Sequence, residues 1–132
     1  MKRRHHATPK PIIFLWMFSC ILLTIGYAVI PVVAQSTAED FVRIGMIHYA
    51  KGEFQEALVA FDQAIELRPD MDVGYTNRGL VKYRLGDIAG SVADHTRAVE
   101  INPRLAEGYT NRGGARLAQG DVTGALADHT KA

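Results

Sequence analysis

The sequence predicts an all-α protein in which antiparallel helix pairs stack one after another into a solenoid, preceded by an N-terminal hydrophobic helix. Three observations predict it. Residues 75–98 read YTNRGLVKYRLGDIAGSVADHTRA and residues 109–132 read YTNRGGARLAQGDVTGALADHTKA, with 13 identities over 24 aligned places and starts 34 residues apart. A fixed period of this size marks one small unit stacked on the next. Apolar residues within the units recur at helical spacing, and no run alternates as a strand would. Finally, residues 11–38 contain no charged residue, while Lys2, Arg3, Arg4 and Lys10 precede them.

That last pattern, a basic segment followed by an apolar one, is the layout of an export signal or a membrane anchor over residues 1–34. Ile12 to Ile30 is long enough, at about 1.5 Å per residue, to span a hydrocarbon layer of roughly 30 Å. Pro31 then breaks the helix, and Ala34 stands before Gln35 as a signal peptidase site requires. Cleavage after Ala34 and retention of residues 12–33 in a membrane both stay open, and an N-terminal sequence of the mature protein decides between them. Either way the basic end stays in the cytoplasm and the body crosses the inner membrane, to be secreted, periplasmic or anchored there. Cys20, the single cysteine, lies in the apolar stretch and reads as a small filler.

Without the leader the chain carries 11 Lys plus Arg against 14 Asp plus Glu, so the net charge of +1 becomes −3. No clustered basic surface is left to displace counterions from phosphate, which excludes nucleic acid as a partner.

Gln35 to Thr37 form a short polar linker, and the repeat region runs over residues 38–132. Glu39 and Asp40 favour the positive end of a starting helix dipole. Phe41, Ile44, Gly45 and Tyr49 follow at helical spacing up to Lys51, and Gly52 stops the helix. A second amphipathic run, Phe54, Leu58, Phe61 and Ile65, ends before Pro69. The turn between the two is so short that the helices must lie antiparallel and touch.

Phe41, Ile44, Gly45, His48, Ala57, Phe61, Ala64 and Pro69 stand at the spacings of W-x2-L-G-x2-Y, A-x3-F and P. On these residues the stretch resembles a tetratricopeptide repeat. Phe41 replaces the Trp and His48 the Tyr, each keeping a ring. The units are then 38–71, 72–105 with Tyr75, Gly79, Ser91, Ala98 and Pro103 in register, and 106–132, which is incomplete. The tandem YTNRG units with GD turns are similar to tetratricopeptide proteins of bacteria, cyanobacteria among them. The resemblance implies a right-handed solenoid. The recurring Gly45, Gly79 and Gly113, with the small Ala57, Ser91 and Ala125, let the two helices of a unit approach closely. Gly86-Asp87 and Gly120-Asp121 end one helix and cap the next, with positive φ expected at Gly86.

The repeats also serve as comparisons for one another. Ile44 and Ala60 of the first become Arg78 with Asp94 and Arg112 with Asp128, a paired change that predicts an Arg to Asp contact across each hairpin. His95 and His129 take the place of Phe61. Equivalent residues of stacked units lie about 8 to 10 Å apart, too far to share one metal, so both are read as packing rings. No metal or cofactor site is predicted, and no enzyme. The body holds no Cys, Ser91 falls at a packed contact, and no Gly-rich phosphate loop follows a strand.

What remains is binding. In the family this stretch resembles, the first helix of each pair lines a concave groove that holds a partner peptide or helix. Asn77 and Asn111 match asparagines that face this groove in some members and hydrogen-bond the ligand backbone, as an amide that both donates and accepts can. Arg43 departs from that ladder in the first repeat. Met46, Tyr49, Thr76, Leu80, Tyr83 and Thr110 complete the expected groove. The leading reading is therefore an exported or membrane-anchored adaptor for a protein or peptide. The third unit stops before its closing turn with no polar helix over its end. A structural module that self-associates through that uncapped C-terminal end, or the docking arm of a larger truncated protein, is the alternative.

Overall fold

The structure is a computed structural model that describes residues 36–132; the expected leader 1–34, with its alternatives of cleavage after Ala34 or a membrane segment 12–33, lies outside the described residues. Six helices follow: α1 Ala38–Lys51, α2 Phe54–Leu67, α3 Asp72–Arg84, α4 Ile88–Ile101, α5 Ala106–Gln119 and α6 Val122–His129. No strand occurs among the described residues, and none of these helices is long and apolar enough to cross a membrane. Each helix packs on its chain neighbour, and the first helices of successive pairs also touch, α1 on α3 and α3 on α5. This is the contact pattern of a solenoid built from helical hairpins.

Local chemistry sets the ends of the helices. Thr37, which the sequence placed in a linker, is the N-cap of α1. Its hydroxyl accepts from the Asp40 amide at 3.2 Å and the Asp40 carboxylate accepts from the Thr37 amide at 3.0 Å. Two orphan amides are satisfied reciprocally. Inside each pair the turn is the same three times. Gly52, Gly86 and Gly120 take φ of 79°, 83° and 87°, in the left-handed region that glycine enters without strain. Their amides bond Tyr49, Tyr83 and Leu117, while the next amides, of Glu53, Asp87 and Asp121, reach back to His48, Lys82 and Arg116 at 2.9 Å. The last carbonyls of each first helix are thereby paired. Asp87 and Asp121 then cap α4 and α6 through the amides of Gly90 and Gly124, whereas Glu53 gives α2 no side-chain cap.

The core between the first pair and α3 gathers Ala38, Val42, Ala57, Phe61, Ala64, Met71 and Val81. Full burial of a side chain the size of Phe61 stabilises by roughly 1.5–3 kcal/mol. Gly45 faces this ring so closely that a Cβ there would lie 2.6 Å from it. His95 lies on Gly79 in the same way, at 2.8 Å, and His129 on Gly113 at 3.1 Å. The recurring glycine thus makes room for a ring from the second helix, a more specific reason than close helix approach alone. Between pairs the same device returns with aliphatic partners, since a Cβ at Gly74 would meet Ile65 and one at Gly108 would meet Val99.

Candidate functional site

Across the second hairpin Arg78 donates to both carboxylate oxygens of Asp94, through Nε at 2.8 Å and Nη2 at 2.7 Å. Arg112 holds Asp128 in the same two-pronged way, through Nε at 2.9 Å. Both aspartates are nearly buried, and each takes a second cation one turn further along the first helix: Lys82 on Asp94 and Arg116 on Asp128, both at 2.8 Å. Such forks fix orientation as well as charge. Burial disfavours the charge on Asp128, yet its bonds to Arg112 and Arg116 hold the carboxyl below the usual carboxylate range. Arg78 also reaches Asp62 of the preceding pair at 2.7 Å, and Arg112 lies 3.5 Å from the Thr96 hydroxyl, which occupies the same register. Arg78 and Arg112 thereby each reach from their own hairpin to the preceding one.

The face formed by the first helices is different. Two pockets lie along it, one repeat apart. The first, about 320 Å³, is lined by Met46, Tyr49 and Ala50 of α1, Phe61 of α2, Asn77 and Leu80 of α3, and Glu107 of α5. The second, about 180 Å³, is lined by Leu80 and Tyr83 of α3, His95 of α4, and Thr110, Asn111, Gly114 and Ala115 of α5. A shift of 34 residues carries Met46 to Leu80, Tyr49 to Tyr83, Phe61 to His95, Asn77 to Asn111 and Leu80 to Gly114. The two pockets are the same place in successive repeats, with Leu80 shared as the wall between them.

Of the residues expected in the groove, Met46, Tyr49, Asn77, Leu80, Tyr83, Thr110 and Asn111 line these pockets. Arg43 and Thr76 do not. Arg43 turns back to Asp40 at 2.8 Å, and Thr76 is buried with its hydroxyl donating to the Asp72 carbonyl at 2.9 Å. Threonine mid-helix commonly makes this bond one turn back. Asn77 spends its amide group on the Val73 carbonyl at 2.9 Å, and Arg84 holds the Tyr49 hydroxyl at 3.1 Å. Phe61, His95 and Glu107 were not assigned to the groove from sequence. The two rings belong to second helices and form part of the pocket walls only because Gly45 and Gly79 open the first helices to them. Glycine facing a ring one hairpin apart was the available signal.

His95 is buried, and burial pushes its pKa down to about 4, with Asp94 pulling upward and Arg112 pressing downward. The ring is neutral at physiological pH and keeps one donor and one acceptor nitrogen. Among the described residues its Nδ1 finds no partner, and neither does Nδ2 of Asn111. Among the described residues no three metal-ligating side chains converge.

A family model described as TPR repeat matches residues 45–86. A search of curated protein sequences finds no match. Among solved structures, the chain is similar to the first TPR of Spaghetti (RPAP3) bound to the HSP90 peptide SRMEEVD, with a TM-score of 0.71 and 26% identity over 72% of this chain and 75% of that one. The first TPR domain of human RPAP3 superposes with a TM-score of 0.70 and 26% identity, covering 72% of this chain and 75% of its own. The TPR2B domain of yeast Sti1, solved with pHsp70, gives 0.70 and 24% over 71% and 75%.

Proposed function

We propose that this chain, whose residues 45–86 match a TPR repeat model and whose fold is that of TPR domains, is a protein-interaction module whose first-helix face holds an extended segment of a partner. The observation that carries this reading is the pair of register-equivalent pockets. Their walls combine apolar and aromatic surface with asparagine amides, the mixture that anchors a peptide's side chains and reads its backbone. The similar RPAP3 domain in complex with an HSP90 peptide supports the same use of the fold.

Leu80 lines both pockets and is only half-buried, so Leu80→Glu charges the shared wall without opening the core. Phage-displayed random peptides panned on the immobilised full-length chain should be enriched by the wild type and not by Leu80→Glu, with the two melting alike. Equal enrichment by both proteins would show that the pockets are not the binding surface.

The basic and apolar leader supports placing this module outside the cytoplasm, either released after Ala34 or held by residues 12–33. Protease added to intact spheroplasts should degrade the repeat region if it lies outside. Protection until the membrane is lysed would refute export.

A further inference from the structure

We infer that the second pocket selects a neutral amide side chain, of the Asn or Gln type, from the bound peptide, while the first selects an apolar one three residues away. The inference rests on the peptide-groove reading above and adds its specificity. The two pockets occupy the same place in successive repeats, but the buried ring changes from Phe61 to His95. In the second, His95 Nδ1 and Asn111 Nδ2 are both buried without a partner. Each such atom leaves a desolvation penalty standing, so a ligand that supplies partners is favoured over one that does not.

A carboxamide does both jobs at once. Its oxygen accepts from Asn111 Nδ2, and its NH₂ donates to Nδ1 of the neutral imidazole in the tautomer that carries its proton on Nε2. Both residues line the pocket, and on this inference their side chains turn these atoms to its contents when the peptide binds. An aliphatic side chain leaves both atoms unpaired. A carboxylate loses its hydration in a pocket that no cation lines. A lysine has no acceptor to offer Asn111. Size agrees as well, since about 180 Å³ is close to the roughly 150 Å³ of a cavity that holds one benzene ring. The first pocket, with Met46, Tyr49, Ala50, Phe61 and Leu80 outnumbering Asn77 and Glu107, suits a larger apolar side chain.

Spacing follows from the backbone. First helices of neighbouring repeats are in contact, which sets them about 8–10 Å apart. A polyproline-type peptide returns a side chain to the same face every three residues, about 9 Å along its axis.

The test uses a positional-scanning library of capped peptides on the immobilised full-length chain, with each position fixed in turn as Leu, Gln or Glu. Wild type should prefer Gln over Leu at one position by about tenfold and Leu at a second position three residues away. His95→Phe copies the first repeat's ring onto Gly79, and it should move the Gln preference to Leu while leaving the other position unchanged. Asn111→Ala, on a partly buried side chain, should weaken the Gln preference even if His95→Phe does not fold. An unaltered preference in both folded variants, with binding still lost in Leu80→Glu, overturns this inference and leaves the groove standing. Enrichment that Leu80→Glu does not reduce overturns both.

Discussion

In the first repeat the Phe61 ring lies on Gly45 beside the buried methyl of Ala60, and Ile44 stands half open to solvent on the opposing helix. In the second repeat the His95 ring lies on Gly79 beside the buried carboxylate of Asp94, which Arg78 and Lys82 grip together. The helices, the turn and its left-handed glycine are nearly the same in both. The backbone of a repeat is thus specified by glycines and small residues, while the interior beside them accepts either apolar or ionic chemistry. The ring on each glycine lines a pocket, Phe61 in the first repeat and His95 in the second, so one backbone offers two different walls to a ligand.

The largest expected effect comes from breaking the ionic interior on one side only. Asp94→Ala should cost about 3 kcal/mol in urea unfolding, because Arg78 and Lys82 lose the acceptor that compensates their desolvation. Adding Arg78→Ile restores the first repeat's pairing and should recover most of that loss. A double variant as unstable as Asp94→Ala would show that the two interiors are not interchangeable.

A smaller effect depends on pH. His95 has a folded pKa near 4 against an ordinary 6.5, so below pH 6.5 the unfolded chain binds the proton that the folded chain refuses. Stability from this group is present above about pH 6.5 and falls as pH drops toward 4, by roughly 2 kcal/mol at pH 5. His95→Phe removes the titration, so the wild-type to variant difference between pH 7 and pH 5 isolates it from Asp94 and Arg112, which bear on the ring from neighbouring positions. Parallel stability curves for the two proteins would contradict a buried neutral histidine.

The smallest concerns Ser91, which stands where Ala57 and Ala125 stand in the other repeats. It is buried, and its hydroxyl has no partner. Ser91→Ala should therefore stabilise by about 1 kcal/mol, read as a rise in melting temperature. A fall would mean that the hydroxyl has a partner in solution.

Much of the architecture was legible because its signals are local. Gly52, Gly86 and Gly120 announce where the first helix of each pair stops, and Pro69 and Pro103 mark the passage from one pair to the next. The Arg78 to Asp94 pairing could be read too, since two places that change together between repeats behave like contacting partners. Thr37 was missed as a cap although Thr37-x-x-Asp40 is a capping pattern with Asp in place of Glu or Gln. The groove was only partly legible. Thr76 and Thr110 hold one register, yet Thr76 is buried and Thr110 lines the second pocket. Helical phase alone cannot tell them apart, because exposure depends on which neighbours each helix meets.

Period, composition and turn residues determined by themselves that this chain repeats a helical hairpin, since those signals act within a few residues of one another. Only the tertiary structure decided that rings from second helices reach the first-helix face and that two polar atoms there end without partners. Those facts depend on packing between residues 16 or more positions apart, where the absence of one Cβ at Gly45 or Gly79 sets what can fit.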